Sequence, residues 1–211
     1  MRNIFISLFL LISFNVSAQN DEERWVDSVF NSLTLEQRVG QLFNLRANDP
    51  NKDFNTYIDD YIERYNIGGV TFFRTDAEKL LTKANEWQAK SQTPMMIAID
   101  GEWGIGMRIN DGISYPYQMT LGAVTNDSLI AEMGRQIAEQ CTRIGINVNF
   151  APTVDVNNEP NNPVIGFRSF GENADNVARK GLAYAMALQD NGVLPSMKHF
   201  PGHGNTMTDS H

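Results

Sequence analysis

One unit recurs along the sequence: a helical stretch closes on a glycine, and a short, almost wholly apolar run follows. Gly68-Gly69 leads into residues 70–73, Gly145 into residues 146–150 and Gly192 into residues 193–197. Glycine suits the end of a helix because the left-handed residue that closes the last turn carries no steric penalty without a Cβ. Residues 95–99 form a further apolar run. Between the runs, residues 127–144 and 173–189 are Ala-rich with an apolar residue every three or four positions, which predicts helices. Strands apolar on both faces must be covered on both faces, so the alternation predicts an α/β chain with a parallel sheet. Spacing alone leaves a closed barrel and an open doubly wound sheet both standing. No low-complexity linker or fixed-period repeat divides the chain, and it reads as one unit.

Residues 25–41 lead into this array as two short helices. Val26, Val29, Phe30 and Leu33 have helical spacing, and Thr34 followed by Glu36 and Gln37 opens the second helix. Upstream, residues 1–18 read as a signal peptide. Arg2 gives the positive start, residues 4–14 the apolar run, and Val16-Ser17-Ala18 a small-residue cleavage site. A membrane anchor needs about 20 apolar residues, more than this run supplies. Cleavage after Ala18 leaves residues 19–211 as the mature portion, in the periplasm or outside the cell. No cysteine follows directly after that site to carry a lipid, and no membrane partner is expected after cleavage.

The chain of 211 residues is 42% hydrophobic and 20% charged, which suits a globular domain with a substantial core. Its formal charge is −8; removing Arg2 leaves 16 Lys plus Arg against 25 Asp plus Glu, or −9. That balance disfavours nucleic-acid phosphates as partners. The lone Cys141 falls on the apolar side of a predicted helix with Ile137 and Ile144, which reads as a buried structural thiol.

The polar clusters follow predicted strands, where parallel α/β folds place their sites. Asp100-Gly101-Glu102-Trp103-Gly104 follows residues 95–99, with Arg108 eight positions after Asp100. Residues 147–157 end another strand in a polar segment containing proline, and Arg168-Ser169-Phe170-Gly171 precedes a helix. All three histidines fall in the last fourteen residues, KHFPGHGNTMTDSH. A zinc site is one reading of them, but Pro201-Gly202 interrupts the helix that would put His199 and His203 on one face. A glycine-rich loop whose histidines cap backbone groups is another. The third, preferred reading pairs Asp209 with His211, the carboxylate orienting an imidazole that gives and takes a proton. Around the same strand-end face Asp100, Arg108, Arg168, Lys198 and His199 offer donors and an acceptor, which sugar hydroxyls require and which are costly to bury unpaired.

The run KHFPGHGNTMTDSH, with LTLEQRVGQLF, DGEWG, NFAPTVDV and RSFG before it, resembles the bacterial β-N-acetylhexosaminidases of glycoside hydrolase family 3. The resemblance covers the mature portion and implies a (β/α)8 TIM-type barrel, of which about the first five β/α units are present. It implies an enzyme that releases terminal β-linked N-acetylhexosamine with retention, needing no metal or organic cofactor and binding a carbohydrate substrate. By the family pattern Asp100 and Arg108 hold sugar hydroxyls, and Arg168, Lys198 and His199 line the same subsite. His211 becomes the general acid/base and Asp209 its partner, on a catalytic loop spanning residues 204–210. The nucleophile of the family is an Asp on a later strand, beyond His211. Trp103 departs from the pattern, since a glycine is common there. A β-glucosidase of the same family and a non-catalytic sugar-binding protein are the alternatives.

Overall fold

The computed structural model of the protein describes residues 20–50 and 52–209. The expected signal peptide and His211 lie outside the described residues. In chain order the elements are α1 (Asp21–Ser32), α2 (Leu35–Gly40), β1 (Asn44–Arg46), α3 (Tyr57–Tyr65), β2 (Gly69–Phe72), α4 (Ala77–Lys90) and β3 (Met96–Ile99). There follow α5 (Gln118–Gly122), α6 (Ser128–Arg143), β4 (Val148–Asn149), α7 (Ala174–Asp190) and β5 (Leu194–Pro195). Short 3-10 turns occupy Ile105–Met107 and Gly166–Arg168.

The five strands form one parallel sheet in the order β1-β2-β3-β4-β5. Val70 pairs with Leu45 on one side and Ile97 on the other, and Ile99 with Phe72 and Asn149. A doubly wound sheet reverses its strand order at a switch point; here every strand lies beside its sequence neighbour. The array is therefore five consecutive units of an incomplete TIM-type barrel. Among the described residues β1 and β5 each pair on one side only.

The core lies between the sheet and its helices. Phe72, Ile97 and Ile99 from the strands meet Leu80, Trp87, Ile137, Tyr184 and Leu188 from α4, α6 and α7, all fully buried. Cys141 is in this layer on α6, and burial pushes its thiol up to about 12. That agrees with the structural thiol read from the sequence.

Local chemistry explains several boundaries. Thr34 and Gln37 form the expected capping box for α2, and Asn20 with Glu23 forms another for α1. Such caps are worth about 1 kcal/mol each because they satisfy orphan amides of the first turn. Gly145 (φ 78°) and Gly192 (φ 82°) take the left-handed position expected at the ends of α6 and α7. The first unit differs. There Asn66 (φ 48°) closes α3, its side chain accepting from the amides of Gln92 and Thr93. Gly68 and Gly69 serve close packing instead, since a Cβ on Gly68 would stand 2.0 Å from the Gln41 carbonyl oxygen.

Two strands are shorter than the apolar runs that announced them. Residues 146–150 contribute Val148–Asn149 and residues 193–197 contribute Leu194–Pro195. The pairing resumes beyond the strand ends as an isolated bridge between Thr153 and Lys198. The α1 helix forms where its spacing predicted, yet none of its residues is buried. Spacing reported its periodicity and not what would cover Trp25, Val26 and Phe30, which are more than half exposed or nearly so.

Candidate active site

The loop after β3 is pinned before it reaches the site. The Gly101 amide donates to Asn149 Oδ1 at 2.8 Å, and its carbonyl accepts from the Tyr184 hydroxyl at 2.9 Å. A Cβ on Gly101 would press within 3.1 Å of the Asn149 amide group. With Gly101 fixed to β4 and α7, Asp100 and Glu102 are delivered to the C-terminal side of the sheet.

There the charges interlock. Arg168 Nε and Nη2 donate to the two Glu102 carboxylate oxygens at 2.9 and 2.7 Å. Lys198 Nζ lies 2.8 Å from Glu102 Oε1 and 2.7 Å from Asp100 Oδ1. The second oxygen of Asp100 accepts from Arg108 Nη2 at 2.7 Å. Burial pushes both carboxyls up, but Lys198 and Arg108 around Asp100, and Arg168 and Lys198 around Glu102, together outweigh it. Both stay below the ordinary carboxylate range and are ionised at neutral pH. The bonds from Glu102 hold the Arg168 guanidinium above its usual value against the cost of burial.

The neighbouring residue, His199, belongs to a second carboxylate. Its Nδ1 stands 2.6 Å from Asp155 Oδ2, and its amide donates to the same oxygen at 3.2 Å. Asp155 Oδ1 accepts the His203 amide at 2.6 Å. A carboxylate only accepts, so Nδ1 carries the hydrogen and Nε2, 3.5 Å from Arg168 Nη2, is the ring atom left facing the cluster. The Lys198 backbone is fixed too, its carbonyl accepting from Val154 and its amide donating to Pro152. A cleft of about 660 Å³ is lined by Asp155 and His199, with Phe200, Pro201 and Asn205 in its wall.

The five residues assigned to sugar binding, Asp100, Arg108, Arg168, Lys198 and His199, thus converge from the segments that follow β3, β4 and β5. Their side chains are each 15–29% exposed, anchored yet reachable. Two members of the cluster carried no settled role in the sequence reading. Glu102 and Asp155, with side chains 1% and 0% exposed, are the acceptors that hold the cations and the imidazole in place. Their only signal was position: each is an acid shortly after an apolar run.

Asp209 is exposed near the end of the described residues, and its expected partner His211 lies beyond them. His203 is held by a contact of 2.8 Å between Nδ1 and Thr206 Oγ1. Among the described residues no three His, Cys, Asp or Glu side chains are grouped as metal ligands.

A parallel β/α array with a charged, largely buried cluster at the C-terminal ends of its strands defines a chain of the TIM-barrel class. Residues 34–211 match the glycosyl hydrolase family 3 N-terminal domain, and the chain belongs to that family. It is 44% identical over 167 residues to "Beta-hexosaminidase A" of Pseudoalteromonas piscicida, covering 73% of this chain and 28% of that protein. It is 27% identical over 195 residues to a "Beta-N-acetylglucosaminidase/beta-glucosidase" of Cellulomonas fimi, covering 92% of this chain and 34% of that one. The structure of a family 3 β-N-acetylglucosaminidase from Paenibacillus sp. str. FPU-7 aligns with a TM-score of 0.76 at 37% identity, over 84% of this chain and 35% of that one. The chain therefore spans about a third of the length of these relatives, or less.

Proposed function

We propose that the full-length protein is an exported, retaining exo-glycosidase that removes terminal β-linked N-acetylhexosamine, chiefly N-acetylglucosamine, from a glycan. The observation that carries this reading is the convergence of Asp100, Arg108, Arg168, Lys198 and His199 on one partly exposed face. Fixed, already-paired donors suit a ring of hydroxyl groups, because they offer directional hydrogen bonds without leaving a bare charge buried when the site is empty. The names of the Pseudoalteromonas and Paenibacillus proteins support the same substrate class.

In this reading His211, oriented by Asp209, protonates the leaving oxygen while an Asp on a later strand attacks the anomeric carbon. Water, activated by the same histidine, then releases the sugar. Most retaining glycosidases use two carboxyl groups, so the histidine acid/base rests on the family resemblance. Proton transfer and nucleophilic attack by side chains call for no metal, and chelator leaves the rate unchanged.

The test is a comparison of an aryl N-acetyl-β-glucosaminide with the matching β-glucoside on the full-length protein. The first is hydrolysed much faster; equal rates or a preference for the glucoside overturn the reading. The dual name of the Cellulomonas relative favours the glucosidase alternative, and the Asp209-Ser210-His211 triplet favours N-acetylhexosamine. Export is read from residues 1–18 and carries its own check. Amino-terminal sequencing of secreted protein begins at Gln19, whereas an intact Met1 on a cytosolic protein refutes it.

A further inference from the structure

We infer that Trp103, Tyr117 and Phe167 form an aromatic platform beside the charged cluster and bind the second sugar ring of the glycan, on the leaving-group side. The Trp103 and Tyr117 rings meet edge to face at 4.8 Å, and Tyr117 and Phe167 lie 4.5 Å apart. Three aromatic side chains brought together from distant parts of the chain would ordinarily be core, yet Tyr117 is 44% and Phe167 55% exposed. Large apolar surface held in water has a cost that burial in a complex recovers.

The backbone ties this platform to the site. Trp103 follows Glu102 directly, and Phe167 directly precedes Arg168, so the two rings flank the Glu102–Arg168 ion pair in sequence. Tyr117 precedes Gln118, a buried side chain that donates to the carbonyls of Arg168 and Thr153 at 2.7 Å each. The Trp103 carbonyl accepts from the Tyr115 amide at 2.8 Å, which fixes the remaining loop. All three rings rise from segments between β3 and β5, away from the outer edges of β1 and β5 where pairing is open among the described residues.

The occupant follows from chemistry. A pyranose presents an apolar C–H face as well as hydroxyl edges, and the C–H face lies well on an aromatic ring. The charged cluster meets the hydroxyls of the terminal residue, and in an exo-acting enzyme the adjoining ring is the leaving group. Trp103 stands where the family commonly has glycine, and a glycine there would remove one of the three rings. It would bias the enzyme toward oligosaccharides over glycosides with small aglycones. Binding energy gathered from a ring remote from the bond being cut also helps hold that bond against the acid/base.

The inference rests on the glycosidase reading, and the experiment separates the two. On full-length protein, kcat/KM is measured for a β-1,4 disaccharide and for the methyl β-glycoside, in both the N-acetylglucosamine and the glucose series. Phe167→Ala and Trp103→Gly each lower the ratio of disaccharide to methyl glycoside by about three- to tenfold, the worth of one aromatic contact, while Phe167→Tyr retains it. An unchanged ratio in both ring-removing variants, or an equal fall in Phe167→Tyr, overturns the platform. Turnover confined to the glucose series refutes the N-acetylhexosamine reading while the ratio in that series still tests the platform. If neither series is turned over, calorimetric binding of the disaccharide reads it: the same factor lost supports the platform, and unchanged binding overturns it.

Discussion

Glu102→Gln removes one charge and almost no volume, and its effect can be worked from the geometry. The carboxylate is 1% exposed and accepts from Arg168 at 2.9 and 2.7 Å and from Lys198 at 2.8 Å. Glutamine keeps one acceptor and turns an NH₂ group toward donors, so at least one contact becomes repulsive. Breaking a buried ion pair costs about 3–5 kcal/mol; with Arg168 and Lys198 themselves 18% and 15% exposed, the lower end, about 3 kcal/mol, applies. For a domain of this size that lowers Tm by about 6–12 °C. Displaced by an ångström, Arg168 and Lys198 lose about a hundredfold in kcat/KM on the aryl substrate.

The pH dependence follows from the lowered carboxyl of Glu102. Its stabilisation is fully present above the unfolded value of about 4.3 and is lost as pH falls through the lower folded value. Glutamine already mimics the protonated form, so the stability gap between wild type and variant narrows below about pH 4. Scanning calorimetry from pH 7 downward, with steady-state kinetics at pH 7, measures both effects. A variant that melts within about 2 °C of wild type and keeps its kcat/KM would falsify the positioning role of Glu102. Glu102→Asp restores the charge one methylene short and regains part of both losses.

Asp155→Asn keeps one acceptor oxygen but loses the charge and turns an NH₂ group toward the N–H donors of either His199 or His203. It lowers kcat/KM by roughly ten- to a hundredfold, the worth of a hydrogen bond to a charged group; wild-type kinetics would dismiss the Asp155–His199 pair as passive. His211→Ala slows a substrate with a poor leaving group by about a hundred- to ten-thousandfold and gives a burst with an activated one, because the glycosyl-enzyme forms but waits for water. An equal loss with both substrates and no burst refutes the acid/base role. Cys141, buried and pushed up to about 12, resists alkylation at pH 8 in the folded protein and reacts after denaturation; a mass shift on native protein at a rate matching the unfolded chain would contradict its burial.

The local features of the fold were legible because they are encoded within a few residues. Helix periodicity over residues 127–144 and 173–189, the Thr34–Gln37 capping box, and the glycines after α6 and α7 all depend on neighbours three or four positions away. The strand β1 was not legible: Asn44-Leu45-Arg46 has no apolar run, and only its pairing with Gly69, Val70 and Thr71 makes it a strand. Sequence supplied the five sugar-site candidates through polar clusters after strands and a family motif. Which groups hold them in place was decided by contacts such as Arg168 to Glu102, 66 residues apart, and Lys198 to Asp100, 98 apart. The choice between barrel-type and doubly wound order was also tertiary, because strand neighbours are set by packing across the sheet and not by spacing along the chain. An acid after an apolar run is an ordinary loop residue by composition. Glu102 and Asp155 differ from that only because the fold removes their solvent and surrounds them with donors.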